Sequence, residues 1–179
     1  TPCMGKTCLR FGASNFISQG KAMNREFRVL AAIVLAVATT PLALAENVRM
    51  YTPESFEIFP EQFKAAPVIR AGDYVYISGM VAGLPNGVEA NSDNLTKATR
   101  ALFQRIGVLL EAAGANWSDV VDMTSYHVNM RESQAVVAAV RSEFVKEPPY
   151  PAWTGVGVEK LWADPLFLEV KVTAYVGED

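Results

Sequence analysis

Residues 166–176 read Leu-Phe-Leu-Glu-Val-Lys-Val-Thr-Ala-Tyr-Val, the most regular alternation of apolar and polar side chains in the sequence. A period of two predicts a β-strand with one buried face. The residues expected on that face are Leu166, Leu168, Val170, Val172, Ala174 and Val176. The opposite face mixes aromatic, charged and polar side chains, namely Phe167, Glu169, Lys171, Thr173 and Tyr175. Such a face predicts contact with another subunit or a lined cavity.

Upstream of this strand, a hairpin and a helix are expected. The strands of the hairpin span 68–73 and 74–80, with Gly72 and Asp73 as its turn. A helix is predicted at 95–113, where apolar residues recur every three to four positions. Ser92 or Asp93 is its expected cap, and Gly114 its stop signal.

The second half of the domain repeats the alternation of strand and helix. A strand is expected at 119–130, a helix at 132–147 and a further strand at 153–161. Pro148 and Pro149 are expected to end the second helix. Its inner face is predicted to comprise Ala135, Ala138, Ala139 and Phe144. The order β-β-α-β-α-β-β predicts an α+β fold, a single mixed sheet with two helices on one face.

The N-terminal segment has the pattern of a targeting sequence. A short basic start at 23–28 precedes the apolar run VLAAIVLAV at 29–37 and Ala-Leu-Ala at 43–45. This predicts a cleaved secretory signal at 23–45 and a periplasmic or secreted protein. The alternative is a transmembrane anchor, although the run is shorter than the roughly 20 residues that span a bilayer.

This interpretation divides the chain into four segments. Residues 1–22 are expected to be an over-extended start without a role, since a signal normally begins a chain and Met23 could be the first residue. Residues 46–62 are expected to form an N-terminal arm interrupted by Pro53 and Pro60. Residues 63–179 are expected to form the folded domain, with no membrane contact after cleavage of the signal.

Cysteine content and charge exclude several functions for the domain. Both cysteines, Cys3 and Cys8, precede residue 46, so we expect no disulfide, no thiolate nucleophile and no cysteine metal site there. Residues 46–179 carry 11 Lys and Arg against 18 Asp and Glu, a net charge of −7. Nucleic-acid binding normally needs a basic face, so RNA or DNA is not an expected partner.

Few side chains offer chemistry of their own. His127 is the only histidine, so no histidine cluster, metal or cofactor is predicted. We interpret His127 as structural or at an interface; the alternative is a triad base with Ser78 as nucleophile, although G-x-S-x-G is absent. Glu169 is expected to be functional, or to be paired with Lys171 on the same face.

Four stretches together resemble the Rid family, also called YjgF or L-PSP-like. They are 70–79, 110–121, 151–152 with 156–158, and 168–174, and the resemblance covers about residues 63–177. It implies a chorismate-mutase-like α+β fold and a homotrimer with clefts between subunits. It also implies hydrolysis of reactive enamines and imines to ammonia and a keto acid. Some relatives have been described as endoribonucleases or translation inhibitors.

The resemblance also indicates which site residues are kept and which are replaced. Ser78, Gly79 and Glu169 match the family's cleft, with Glu169 as the residue that positions water. The family's carboxylate-binding arginine follows Pro-Ala, but Pro151-Ala152 is followed here by Trp153. The expected cysteine two positions on is Gly155, and the expected tyrosine falls near Ala65, with Phe59 and Phe63 close by. The chain therefore resembles a divergent member that lacks the catalytic arginine.

These observations lead to three hypotheses of function. The first is a small-molecule binder with an inter-subunit cleft and without efficient imine deaminase activity; its expected residues are Phe63, Ser78, Gly79, Met80, Trp153, Thr154 and Gly155. An aromatic or weakly charged ligand would stack on Trp153, unless Trp153 only packs at the trimer interface. The second is an enamine or imine hydrolase that uses Glu169 as its catalytic residue. The third, an endoribonuclease or translation inhibitor, is opposed by the charge and the export signal.

Overall fold

The computed structural model of the protein describes residues 47–177. The predicted signal at 23–45 and the segment 1–22 lie outside the described residues. The elements in chain order are β1 Val48–Tyr51, β2 Val68–Ala71, β3 Tyr74–Gly83, α1 Ser92–Ala112, β4 Val120–His127, α2 Met130–Phe144, β5 Ala152–Gly157 and β6 Leu166–Tyr175. A π-helical turn at Phe59–Phe63 and a 3₁₀ turn at Trp117–Asp119 lie between them.

The strands form one mixed sheet in the order β1-β2-β3-β6-β4-β5. Only β4 and β5 pair in parallel; the other neighbours are antiparallel. This confirms the predicted α+β class and the two principal helices. The structure adds β1 within the segment predicted as an arm, where Val48 pairs with Ala71 of β2. The sequence does not reveal β1, because four residues are too few for a clear alternation of apolar and polar side chains. The strand forms because the backbone edge of β2 supplies its hydrogen-bond partners.

The core lies between the helices and one face of the sheet. Leu168, Val170, Val172 and Ala174 of β6 are fully buried there, as the alternation predicted. They share one apolar cluster with α1 and α2. Burying each large side chain of this cluster contributes about 1.5–3 kcal/mol, so the strict alternation of β6 fixes which face meets the helices.

Helix α1 begins and ends where its flanking residues satisfy the backbone. Its cap is Asn91, not Ser92 or Asp93, because the extended backbone of Asn91 lets its side-chain oxygen accept from Asn94 N at 3.0 Å. Gly114 adopts φ +78° just after the helix, which confirms it as the stop signal.

Helix α2 presents a different face from the one predicted. Ser133, Val136, Val137 and Val140 are buried, whereas Ala135 and Ala139 are exposed and Ala138 and Phe144 are half-buried. The prediction was wrong for Ala135 and Ala139, because valines bury more apolar area than alanines and the helix turns its valines inward. Phe144 does pack against the core, as predicted. The helix also ends at Phe144, three residues before the predicted end, since Val145 is already extended.

Candidate functional site

A cavity of about 830 Å³ opens beside the second half of β3. Strand β2 pairs with β3 as far as Ile77 and no further. The part of β3 that follows Ile77 therefore has no strand on that side. The segment 54–65, the flank of α1 and the loop before β6 supply the walls, and Glu169 of β6 adds a carboxyl group. We call this cavity the Glu169 pocket.

Aromatic rings form one wall of the Glu169 pocket. Phe56, Phe59 and Phe63 follow one another with ring centroids 6.4 and 6.0 Å apart, and Phe63 meets Trp162 at 6.0 Å. Phe63 is 50% exposed and Trp162 is 70% exposed. Large apolar side chains left open around a cavity are typical of a ligand site.

Glu169 reaches the pocket because Gly79 has no side chain. The ladder between β3 and β6 shifts register between Ile77 and Met80, and Gly79 lies in that bulge. A Cβ added to Gly79 would lie 2.8 Å from Glu169 Cδ and would overlap its Oε1. Glycine is therefore required for close approach rather than for an unusual backbone angle.

The Glu169 carboxyl is half-buried and has no charged partner within residues 47–177. The only ion pair in that part of the chain joins Arg100 to Glu143, so the predicted pairing of Glu169 with Lys171 is wrong. Lys171 is exposed, so its ammonium group is hydrated. Pairing with the half-buried Glu169 would remove part of that hydration at a cost in free energy. Burial raises the pKa of Glu169. A half-buried, unpaired carboxyl in a cavity is a candidate for ligand contact or proton transfer.

Arg105 of α1 is a pocket residue that the sequence analysis missed. Its guanidinium Nη2 donates to the backbone oxygen of Val81 and lies on the pocket wall. Burial lowers the pKa of Arg105, although the residue as a whole stays exposed to solvent. Val108, one turn further along α1, lines the pocket while 48% exposed. The sequence did contain a signal for this site. Val108 is an apolar residue outside the apolar stripe of α1, and it lies one turn from Arg105.

Of the predicted ligand residues, the structure brings Phe63, Gly79 and Met80 together in the pocket, beside Glu169, the predicted catalytic residue. Ser78 lies next to them in the chain, but its Oγ donates a hydrogen bond to the backbone oxygen of Ala66 at 2.7 Å. His127 contacts Ser125 and Ser133 rather than Ser78, so the triad alternative is wrong.

Trp153, Thr154 and Gly155 do not line the Glu169 pocket of the same protomer. Trp153 pairs in register with buried Met123 and points into the helix-covered side of the sheet. The guanidinium carbon of Arg141 lies 5.1 Å from its ring centroid. A Cβ added to Gly155 would lie 2.8 Å from Met130 Cε, which explains this glycine by close packing.

Trp153 belongs to a polar core network with Ser125, His127 and Ser133. Ser133 Oγ donates to Asn129 O at 2.8 Å, so it accepts from His127 Nδ1, also at 2.8 Å. His127 Nε2 then accepts from Ser125 Oγ at 2.9 Å, and Ser125 Oγ accepts from Trp153 Nε1 at 2.9 Å. Every donor has an acceptor when the imidazole is neutral with its proton on Nδ1.

The environment of His127 favours this neutral state. The residue is fully buried, and burial lowers the pKa of His127. Its side chain therefore opposes protonation in the folded state, and stability decreases as the pH falls below the ordinary histidine value of about 6.5. These contacts identify His127 as a structural residue.

Residues 47–177 contain neither a cluster of metal-ligating side chains nor a helix suited to span a membrane. Within residues 47–177, no group of three or more His, Cys, Asp or Glu side chains is arranged to hold a metal ion. Across the same range, no helix combines the length and hydrophobicity needed to cross a bilayer. The charged side chains that line the Glu169 pocket are Glu54, Arg105 and Glu169.

Comparison with known proteins places this geometry in a family. The family model described as Endoribonuclease L-PSP matches residues 62–176. RutC family protein YjgH of Escherichia coli is 29% identical over 135 residues, which cover 75% of this chain and 99% of the relative. A solved structure of protein YjgH superposes with a TM-score of 0.61 at 27% identity, covering 74% of this chain and 99% of that one.

An enzyme is also found among the relatives. A protein of Dermatophagoides farinae named 2-iminobutanoate/2-iminopropanoate deaminase is 27% identical over 93 residues, which cover 52% of this chain and 71% of the relative. The matched region of the family model takes in both principal helices and five of the six strands. The chain thus belongs to the L-PSP family, the family of the YjgF and RutC proteins.

Proposed function

We propose that this protein binds a small apolar or aromatic molecule in the Glu169 pocket and does not deaminate imines efficiently. The observation that carries this proposal is the pocket itself, a cavity of about 830 Å³ with exposed aromatic walls and a half-buried carboxyl that forms no ion pair within residues 47–177. Mostly apolar cavities of this size with a few polar groups are the usual sites of small ligands.

The residue at position 153 argues against efficient deamination. An indole has one N–H donor and no positive charge, so it cannot grip a carboxylate as a guanidinium does. The N–H of Trp153 is already donated to Ser125, at 2.9 Å. The predicted export signal supports the same conclusion, because short-lived imines of cytoplasmic metabolism would not reach an exported protein.

We further propose that the protein is a homotrimer, as the family resemblance implies. Its support is the uncovered face of the sheet, where Tyr74, Tyr76 and Tyr175 are exposed with ring centroids 6.2 and 5.2 Å apart. Thr154 and Gly155 are exposed on the edge strand β5, so in an assembly they could contact a neighbouring protomer's pocket. Light scattering of the purified protein tests this, and a monomer would contradict it.

A second candidate function is hydrolysis of an enamine or imine by Glu169 and water. The observation that favours it is the raised pKa of Glu169, which burial brings closer to the pH at which a carboxyl can exchange protons. Ribonuclease activity has less support, because a net charge of −7 over residues 46–179 repels RNA.

Thermal shift with a panel of aromatic small molecules tests the binding proposal. We expect at least one compound to raise the Tm of the wild type by mass action. Trp162→Ala should remove that shift because Trp162 lines the pocket, whereas Tyr150→Ala, an exposed aromatic outside it, should not.

Ammonia release from 2-iminopropionate and 2-aminoacrylate, generated in situ, distinguishes the two candidates. We expect little release from the wild type. Release at a high rate that Glu169→Gln abolishes would instead establish the hydrolase. A ligand shift that Trp162→Ala leaves intact would place the binding site elsewhere.

A further inference from the structure

We propose that the ligand of the Glu169 pocket is an apolar, preferably aromatic, molecule bearing one carboxylate, and that Arg105 binds this carboxylate. This inference rests on the proposed ligand-binding function and specifies its ligand. It assigns the anion-binding role to a helix residue, in a protein whose strand β5 carries tryptophan at the family's arginine position.

Arg105 is held in place but has donors to spare. A guanidinium carries five N–H groups, and the one hydrogen bond it makes to a described residue is from Nη2 to the backbone oxygen of Val81. That carbonyl is available because β2 does not extend along this part of β3. This hydrogen bond holds the guanidinium at the pocket wall, so less side-chain freedom is lost when a ligand binds.

The charge of Arg105 has no ion-pair partner among the described residues. Among residues 47–177, no carboxylate oxygen lies within 4.0 Å of its guanidinium. The group nonetheless loses water on the pocket wall, where burial lowers its pKa without removing its positive charge. An unpaired and partly desolvated cation beside a cavity gains most from an anionic ligand, which would supply both charge and acceptors.

The rest of the pocket limits what that anion can be. Phe59, Phe63 and Trp162 offer aromatic surface, and Val108 adds an apolar contact beside Arg105. Glu169 and Glu54 line the same pocket, so a ligand with several negative charges would be repelled. A single carboxylate on an apolar body satisfies both conditions.

The arginine of this proposal lies far from position 153 in the sheet. Arg105 projects from α1 toward β3, whereas Trp153 is on β5, and β6 and β4 separate these two strands. The indole of Trp153 is engaged with Ser125 and Arg141 on the helix-covered side. Arg105 and Trp153 can therefore be substituted independently.

Calorimetry with matched acids and amides tests the role of Arg105. The probes are phenylacetate with phenylacetamide, and indole-3-acetate with indole-3-acetamide, pairs that differ in charge but hardly in shape. We expect the wild type to bind each acid about 10-fold or more tighter than its amide, the ratio expected of a charge-assisted hydrogen bond.

Three variants test whether Arg105 causes the preference for acids over amides. Arg105→Gln should abolish it while the amide still binds, and Arg105→Lys should keep part of it, since the charge remains without the fork. Arg100→Gln is the matched control, because Arg100 lies on the same helix but pairs with Glu143 on the exposed surface. It should leave the preference unchanged.

The outcomes separate this inference from the proposed function. Equal binding of acids and amides by the wild type, or a preference that survives Arg105→Gln, would overturn the role of Arg105 and leave the binding function standing. Failure of every probe to bind the wild type would overturn both. Glu54→Gln should strengthen acid binding or leave it unchanged; weaker binding would also contradict the proposal.

Discussion

The Glu169 pocket and the polar core network show two ways in which this fold buries polar groups. In the network, Trp153, Ser125, His127 and Ser133 pass hydrogen bonds in one direction to the oxygen of Asn129. In the pocket, Glu169 has no ion-pair partner among the described residues, and Arg105 contacts only a backbone oxygen there. The first arrangement satisfies its own hydrogen bonds, whereas the second leaves a carboxyl and a guanidinium without an ion-pair partner among the described residues.

The difference arises from what surrounds each group. Strand β4 places Ser125 and His127 two residues apart on its buried face, directly under Ser133 of α2. The pocket instead forms where β3 bulges at Gly79 and β2 ends. The network is therefore paired throughout where β4 packs against α2, whereas Glu169 and Arg105 lie where the edge of β3 is left open.

Trp153→Arg should produce the largest decrease in the free energy of unfolding. It removes a packed indole and places a second cation near Arg141, so we expect a loss of roughly 3–5 kcal/mol in the free energy of unfolding. It should not create imine deaminase activity, because position 153 faces the helix-covered side. Urea denaturation and ammonia release measure the two effects.

The control for this variant is Trp162→Arg, which alters a tryptophan that is 70% exposed. Its unfolding free energy should change by less than about 1 kcal/mol. A Trp153→Arg variant that is stable and releases ammonia would show that position 153 can serve a cleft, and would contradict the separation of the two regions.

Ser125→Ala should be the next most severe change. It leaves the buried His127 Nε2 and the partly buried Trp153 Nε1 without partners, at about 1–3 kcal/mol for the buried group and less for the other. We expect the denaturant midpoint to fall accordingly, with ligand binding in the Glu169 pocket unchanged. Ser142→Ala, which loses one exposed bond to Ala138 O, is the matched control. Equal effects of the two changes would refute the network.

Gly79→Ala tests the close approach within the pocket. The new Cβ would overlap Glu169 Oε1, and we expect a destabilisation of about 1–3 kcal/mol together with weaker ligand binding. Adding Glu169→Ala should restore most of the stability, because the overlapping side chain is gone. A double-mutant cycle measures this coupling, and strict additivity would mean that the two residues do not meet.

Glu169→Gln should give the smallest change, and one that depends on pH. The folded pKa of Glu169 is raised, so ionisation costs stability as the pH rises from its unfolded value through its folded one. The variant should match the wild type below about pH 4 and exceed its Tm at pH 8. Glu111→Gln, an exposed change on α1, should show no such divergence. If the Tm difference between Glu169→Gln and the wild type were the same at both pH values, the burial of Glu169 would be contradicted.

The local sequence determined much of the architecture. The alternation in β6 identified the buried face, Gly72 and Asp73 located the hairpin, and Gly114 ended α1. These features depend on a side-chain period or on one backbone conformation, and both can be seen in neighbouring residues. The same regularity made the family resemblance visible and with it the matching residues Ser78, Gly79 and Glu169.

The tertiary structure alone decided which side chains share a site. Arg105 enters the pocket because its helix crosses an open strand edge, and Trp162 because its loop returns to Phe63. Trp153 lies outside the pocket of its own chain because two strands, β6 and β4, separate β5 from the pocket strand β3. Contacts between residues distant in sequence depend on how the elements pack, and no local pattern in the sequence encodes them.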